Sequence, residues 1–358
     1  MTLEKLGYRI EPRAETSGPA RAVAVSGALA ASLVLCGLLF LAVGVSPVTA
    51  FQSLVQGAFG TWRAATETLV KATPLIFTGL ATAVAFRARL WNIGVEGQVF
   101  AGAMFAYWCQ SAIAGTSPWI QLPVIVLGAM VGGGLYAGVA GLLKTRFRVD
   151  EVISTVMLNY IIVYMLSLLL LKGPWSEAGG FFEQTAKVDA GAILPILFDK
   201  TRLHLGFLLA LIAAALVYLM IKRSPVGYEI RAAGSNLRAL EVQGTNSRRV
   251  VLMVMFISGA LAGLAGMSEV YGVHYRLKAG ALTSYGYTGI IVAILGLLNP
   301  WGVVIAAILF GALVNGATFM QIKTGVPSAL IYAIEAILLL FYLAGWAASS
   351  FKLKRIKP

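Results

Sequence analysis

The chain has 358 residues, of which 59% are hydrophobic and only 12% are charged, and its mean hydropathy is +0.83. This balance lies far outside the range of soluble globular domains and indicates a protein that resides in a lipid bilayer. The apolar residues form continuous runs and not alternating ten-residue segments, which disfavours a transmembrane β-barrel. The composition therefore predicts an all-α polytopic membrane protein.

Apolar runs of about 20 residues, the length that crosses a bilayer as a helix, recur along the chain. Residues 1–21 precede the first run, carry charges of both signs and lack a small-residue cleavage site, so we expect the first span to be retained. Ten spans are predicted, at residues 22–44, 71–86, 93–112, 120–143, 152–171, 204–221, 250–271, 279–298, 301–320 and 329–349.

Basic residues set the orientation, because they stay on the cytoplasmic side during insertion. With ten spans both termini share a side, and about two thirds of the 28 Lys and Arg residues lie there. We therefore expect a cytoplasmic N-terminal segment (1–21), one transmembrane domain (22–349) with a periplasmic loop (172–203) and a cytoplasmic loop (222–249), and a basic cytoplasmic tail (350–358).

Several function classes are not expected. The net charge of +13 is spread over the inner loops and forms no basic stripe with stacking aromatics, so no nucleic-acid partner is predicted. Metal-ligand spacing is lacking, and packing or helix capping suits Cys36, Cys109, His204 and His274. Catalytic motifs are absent, as is the dipeptide Gly-Lys that a phosphate-binding loop needs. We expect no enzyme and no cofactor.

Glycine spacing suggests an inverted internal repeat, with spans 2–5 matching spans 7–10. The third span opens at residues 92–98 with the glycine spacing found at residues 285–289 in the eighth. Small residues also correspond in the next span of each half, Gly133 and Gly138 with Gly311 and Gly316. The competing interpretation is coincidence, since glycines are common in membrane helices.

Polar side chains near spans are candidates for a substrate pathway, because they are costly in lipid and usually face protein or water. Trp91, Asn92, Glu96 and Gln98 mark a broken helix start, although a carboxylate there also complements the helix dipole. Asn159 either lines the pathway or forms an interhelical hydrogen bond. Two deeper acids complete the candidate set, Glu269 and Glu335.

The 222–249 loop is the only long hydrophilic helical stretch that the sequence predicts. Pro225 and Gly227 end the sixth span, after which Asn236 can cap a second short helix that stops at Gly244. Either Thr245 or Asn246 can then cap the seventh span. Short helices on an inner face suit either a partner's groove or lipid headgroups, and Arg231 fits both.

The chain resembles the inner-membrane permease subunits of bacterial ATP-binding-cassette importers, in the branch that takes up simple sugars and purine nucleosides. Three segments carry the resemblance, FRARLWNIGVEGQ at 86–98, EVISTVMLNY at 151–160 and GYEIRAAGSN at 227–236. The first two look closer to nucleoside-type than to ribose-type permeases. The similarity spans residues 20–350.

The resemblance implies a multi-pass inner-membrane subunit that works by alternating access and moves a small neutral solute, a purine nucleoside or related nucleobase, with ribose or another simple sugar as the alternative. It implies two ATPase subunits that hydrolyse the ATP, a second, different permease subunit, and a periplasmic or lipid-anchored substrate-binding protein. The 222–249 loop would couple to the ATPases through Gly227, Tyr228, Glu229, Arg231, Gly234, Asn236 and Gly244. Leu240 and Thr245 depart from the family pattern.

Two rival classes use no ATPase. A proton- or sodium-coupled secondary transporter also tolerates inverted repeats, and Glu335 would be its relay carboxylate. A passive channel would conduct in both directions. Substrate identity cannot be read from any single residue.

Overall fold

The computed structural model describes residues 8–12, 18–171, 173–177, 179, 182–278 and 280–355. Within these ranges the regular secondary structure is helical apart from one two-stranded ribbon. The elements are β1 (Tyr8–Pro12), α1 (Gly18–Ala42), α2 (Pro47–Phe59), α3 (Trp62–Arg87), α4 (Val95–Ala112), α5 (Pro118–Phe147), α6 (Glu151–Leu171), α7 (Leu205–Arg223), α8 (Pro225–Ser235), α9 (Leu237–Val242), α10 (Ser247–Glu269), α11 (Tyr285–Leu295), α12 (Pro300–Thr324), α13 (Ser328–Ser350) and β2 (Phe351–Arg355).

The helices form two compact units. The larger unit comprises residues 61–312, and the smaller comprises residues 1–60 with 313–358. In the larger unit α3 and α10 are the central spans, with 83% and 78% of their apolar windows buried. In the other spans that lie wholly within this unit, α5, α6 and α7, fewer than half of the residues in the apolar window are buried, as expected for helices that face lipid or another subunit.

Small residues let the central helices of the larger unit approach closely. A methyl group added at Gly133 on α5 would lie 2.2 Å from the carbonyl oxygen of Gly259 on α10. The space around Gly138, one and a half turns further along α5, is open. The predicted close approach is therefore correct at Gly133 and wrong at Gly138.

In the described part of the chain, six helices are long and apolar enough to cross a membrane, α3, α5, α6, α7, α10 with its π-helical extension Val270–His274, and α12. Residues Ser26–Ala42 and Pro47–Phe59 form a pair bent by 112°, which would make a seventh span if counted together. The protein is therefore a helical, multi-pass membrane protein. The described helices account for six or seven of the ten predicted spans.

Two helices differ from the sequence prediction, one in its length and one in not having been predicted. The predicted span at 279–298 contains only the eleven-residue α11, because left-handed backbone at Ser284, Leu297 and Leu298 ends the helix on both sides. Helix α2 was not predicted. It follows a turn at residues 43–46 and begins at Pro47, a residue that is well suited to a first helical position.

The strands β1 and β2 pair in antiparallel register within the smaller unit, with Tyr8 opposite Arg355 and Pro12 opposite Phe351. This ribbon was not expected in an all-α fold. It brings segments from the two ends of the described chain side by side.

Candidate functional site

The break between α3 and α4 is closed by a buried amide pair. The Asn92 side chain donates to Gln98 Oε1 and accepts from Gln98 Nε2, both at 2.9 Å. The same Asn92 amide also donates to Ser258 Oγ on α10 at 2.9 Å, and Ser258 donates in turn to the carbonyl oxygen of Ala81 on α3 at 2.8 Å. Three helices are thereby joined through side chains that solvent does not reach.

Asn159 on α6 joins the same region from the other side. Its Oδ1 accepts from the backbone amide of Gly97 at 2.8 Å, and its Nδ2 donates to the carbonyl oxygen of Ile93 at 3.0 Å and to the Tyr287 hydroxyl at 3.2 Å. The side chain is 2% exposed. The interhelical hydrogen bond that the sequence allowed for Asn159 is therefore present.

Glu96 links the two regions that were matched as repeats. Its carboxylate accepts from the backbone amides of Ser284 at 2.5 Å and Gly286 at 2.7 Å. These amides lie at the start of α11, where backbone donors have no acceptor within the helix. Glu96 also lies in the first turn of α4, so its negative charge meets the positive ends of two helix dipoles. A Cβ at Gly286 would lie 2.2 Å from the Glu96 backbone nitrogen, which shows how closely the two chains cross.

Trp91 does not join this network. Its side chain is 53% exposed, and its ring packs edge-on against Phe86 with centroids 4.8 Å apart. The predicted group of Trp91, Asn92, Glu96 and Gln98 is thus split by the structure into one exposed ring and three buried polar side chains.

Glu269 lies in a separate cluster, where α10 passes into its π-helical turn. Its Oε2 accepts from the Tyr285 hydroxyl at 3.0 Å and lies 3.4 Å from His274 Nε2. His204 caps α7, and its Nδ1 accepts from the Gly206 amide at 3.1 Å. The cap role considered for His204 is therefore correct.

Glu335 lies on α13, and its side chain is outside the described part of the structure. In the smaller unit, the Asn315 side chain donates to the carbonyl oxygen of Gly57 at 3.0 Å. Among the described residues no three His, Cys, Asp or Glu side chains are placed to hold a metal ion.

The 222–249 loop folds into two short helices, as its capping residues predict. Ser224 caps α8 by accepting from the Gly227 amide at 3.0 Å, so α8 begins at Pro225, earlier than expected. After α9, Gly244 adopts a left-handed conformation (φ +85°), and Asn246 caps α10 by accepting from two backbone amides. The predicted Gly244 and Asn246 roles are correct.

One face of these two helices packs against the rest of the larger unit, and the other face is exposed. Ile230, Ala233 and Leu240 are buried, which places the Leu240 departure on the inward face. Gly234 lies directly against α3, where an added Cβ would meet the carbonyl oxygen of Arg87 at 1.9 Å. A cavity of about 420 Å³ separates this loop from residues 88–90 and Lys144.

The open face carries most of the predicted coupling residues. Tyr228 is 52% exposed, and its hydroxyl donates to Gln243 Oε1 at 3.3 Å, which ties α8 to the end of α9. The fully exposed tip is Val242, at 89%. The remaining positions on this face are exposed or half-buried, namely Glu229, Arg231, Ser235, Asn236, Leu237, Glu241 and Gly244.

The outer loop after α6 is a packed cap. Asp189 accepts from the Gly115 amide and from Gln121 Nε2, the latter at 3.1 Å, and these bonds hold the pKa of its carboxyl below the usual value. Glu177 pairs with Arg276 at 2.5 Å, which likewise lowers the pKa of Glu177.

Sequence reasoning missed Ser258, Tyr287 and Asp189. Ser258 and Tyr287 were not singled out because a lone hydroxyl inside an apolar run carries no pattern of its own. The signal available for Asp189 was its position before Ala-Gly, where an acidic side chain commonly caps a turn.

Comparisons with a family model and with individual proteins agree on the same family of transport proteins. Residues 64–343 match the model of a family described as branched-chain amino acid transport system / permease component. A guanosine ABC transporter permease protein of Bacillus subtilis is 40% identical over 316 residues, covering 87% of this chain and 89% of that protein. A glucose ABC transporter permease protein of Haloferax volcanii is 32% identical, with 87% and 84% covered.

A nucleoside ABC transporter permease protein of Lactococcus lactis is 31% identical, with 88% of each chain covered. These relatives are transport subunits and not enzymes. The chain belongs to the family of branched-chain amino acid transport system permease components, as a membrane-spanning permease subunit.

Proposed function

We propose that this chain is a permease subunit of an ATP-binding-cassette importer for purine nucleosides. The observation that carries the proposal is the 40% identity to a guanosine permease protein over 87% of the chain. The nucleoside permease protein of Lactococcus lactis supports the same solute class. A second candidate solute is a simple sugar, which is favoured by the 32% identity to a glucose permease protein.

The topology that we propose has ten spans, an inverted repeat and two cytoplasmic termini. The crossing of Glu96 with Gly286 supports the repeat, because the two matched segments meet in the larger unit. The β1–β2 ribbon supports a shared side for the ends. The charge bias of the loops puts that side in the cytoplasm, and a bacterial inner membrane is the setting we propose.

Coupling to ATP hydrolysis is assigned to α8 and α9. Their buried face packs tightly against α3 at Gly234. A movement of an ATPase bound to the exposed face would therefore be transmitted directly to the transmembrane helices. The partners we propose are two ATPase subunits below, a second and different permease subunit alongside, and a substrate-binding protein above.

The polar residues predicted for the pathway take two roles in this proposal. Asn92, Glu96, Gln98 and Asn159 have partners within the chain, which supports a role in holding the broken helices at the pathway wall. Glu269 is buried and bonded to Tyr285, which supports the same holding role for it. Trp91 stays a candidate for solute contact, and Glu335 stays a candidate by its position alone.

Reconstitution tests the function directly. Proteoliposomes with the ATPases, both permeases and the binding protein should take up radiolabelled guanosine only with ATP inside the compartment that holds the ATPases. Unlabelled glucose and ribose should compete poorly, and strong competition by either would move the assignment to sugars. Uptake by this chain alone, abolished by an ionophore and by Glu335→Gln, would instead identify a secondary transporter.

A further inference from the structure

The exposed face of α6 carries polar side chains at mid-helix and apolar side chains at both ends, which is unusual for a membrane-spanning helix. Seven side chains lie on its exposed side, each more than half exposed, namely Ile153, Met157, Tyr160, Ile161, Tyr164, Leu168 and Leu171. The two tyrosines occupy the middle of this 21-residue helix, and aliphatic side chains occupy both ends. Of the six candidate spans, α6 is the least buried, at 28%.

A face that contacts lipid is expected to have the opposite order. Tyrosines collect at the ends of spans, where their hydroxyls reach water and headgroups, while aliphatic side chains fill the middle. A hydroxyl held against hydrocarbon at the midplane lacks a hydrogen-bond partner, which is costly. The tyrosines in the middle of the α6 stripe therefore indicate that this part of the helix faces a polar environment.

A third tyrosine extends this surface onto α11. Tyr287 is 41% exposed, and its hydroxyl accepts from Asn159, the residue next to Tyr160 in the chain. We call Tyr160, Tyr164 and Tyr287 the tyrosine surface.

The chemistry of this surface selects a class of solute. Three phenol rings offer flat apolar faces on which a nucleobase can stack, and their hydroxyls can donate to or accept from ribose hydroxyls and base edges. The three side chains carry no charge at neutral pH, so a neutral solute would be held weakly and released readily. We propose that the tyrosine surface is one wall of the translocation pathway and contacts the purine nucleoside in transit, a step that rests on the proposed function.

Thiol labelling tests the pathway without reference to the solute. After replacement of the two native cysteines, Cys36 and Cys109, single Tyr160→Cys and Tyr164→Cys variants are assembled into the complete importer. A membrane-impermeant maleimide should label both, because only a hydrated thiol forms the reactive thiolate. The matched control is Leu216→Cys on α7, where Leu216 is 60% exposed at mid-helix, and it should stay unlabelled.

Labelling is measured in the nucleotide-free and vanadate-trapped states. Absence of labelling at both tyrosine positions in both states would overturn the proposal, as would labelling equal to that of Leu216→Cys. Labelling in one state only would support it, since alternating access opens a pathway wall to the side that holds the impermeant reagent in one conformation at a time.

Transport measurements test the contact with the solute. In the complete importer, Tyr164→Leu should lower guanosine uptake per ATP hydrolysed about tenfold, the equivalent of one lost base-stacking contact, while Tyr164→Phe should lose much less. Leu168→Ala, on the same stripe, should leave uptake unchanged. Co-purification of the second permease should be intact in all three variants.

Two results would contradict this assignment. Equal uptake by Tyr164→Leu and wild type would exclude a solute contact, and loss of co-purification would make the surface a subunit interface. A complete wild-type importer that moves no guanosine but labels at Tyr160→Cys would overturn the nucleoside assignment alone and leave the pathway wall standing.

Discussion

The carboxylate of Glu96 accepts the backbone amide hydrogen of Gly286 at 2.7 Å, across 190 residues of sequence. One side chain therefore serves the first turn of α4 and caps the start of α11 as well. In the inverted repeat that we propose, both helices are interrupted elements, and this contact would link their movements. Rearrangement of either helix during transport would have to carry the other with it.

Removal of the Glu96 carboxylate should destabilise this crossing. In Glu96→Ala, the amide of buried Gly286 loses its acceptor, which costs about 1–3 kcal/mol for a buried unsatisfied group, whereas the amide of exposed Ser284 can bond to water instead. Glu96→Gln keeps one acceptor oxygen but loses the charge, so we expect an intermediate loss. Thermal unfolding of the purified protein in detergent measures both, and equal melting temperatures for wild type and Glu96→Ala would show that the crossing is not needed for stability.

Two glycines on α5 form a matched pair for a packing test. Gly133→Ala forces a methyl group to within 2.2 Å of the Gly259 carbonyl oxygen, and α5 must move away from α10. We expect a loss of about 1–3 kcal/mol, the usual cost of overpacking.

Gly138→Ala serves as the control, because its methyl group enters open space. It should be neutral or slightly stabilising, since alanine is the better helix former. The difference in unfolding midpoint in detergent gives the answer, and a larger loss at residue 138 than at residue 133 would contradict the packing described here.

Local chemistry was readable from the sequence and distant pairing was not. Asn246 and Gly244 were placed correctly because caps depend on a residue and its immediate neighbours. The partner of Glu96 lies 190 residues away, and a single sequence contains no signal for it beyond the weak glycine match. Hydropathy also overestimated the 279–298 span, because it does not detect left-handed residues such as Leu297 and Leu298.

The open face of the cytoplasmic loop should control coupling. Arg231→Ala combined with Asn236→Ala removes two side chains exposed on α8 and just after it, while leaving Ile230 and Ala233 packed. We expect a drop of about tenfold or more in uptake and in transport-coupled ATPase activity, as for loss of an interface hot spot. Arg223→Ala at the end of α7 is the control for charge, and unchanged coupling in the double variant within an assembled complex would remove this loop from the mechanism.

Acid should loosen the outer cap through Asp189. Its bonds to Gly115, Gln121 and Gly191 lower the carboxyl pKa in the folded state, so the unfolded loop binds the proton more tightly. The stabilising contribution is therefore complete above the unfolded value of about 4 and is lost as the pH falls through the lower folded pKa. Hydrogen exchange of residues 113–121 and 185–193, corrected for intrinsic rates, should rise at low pH. Asp189→Asn should raise the same exchange at pH 7. Asp199→Asn, at an exposed position in the same loop, should not. If Asp189→Asn leaves the exchange rates unchanged at every pH, the loop is held by other contacts such as the Glu177–Arg276 pair.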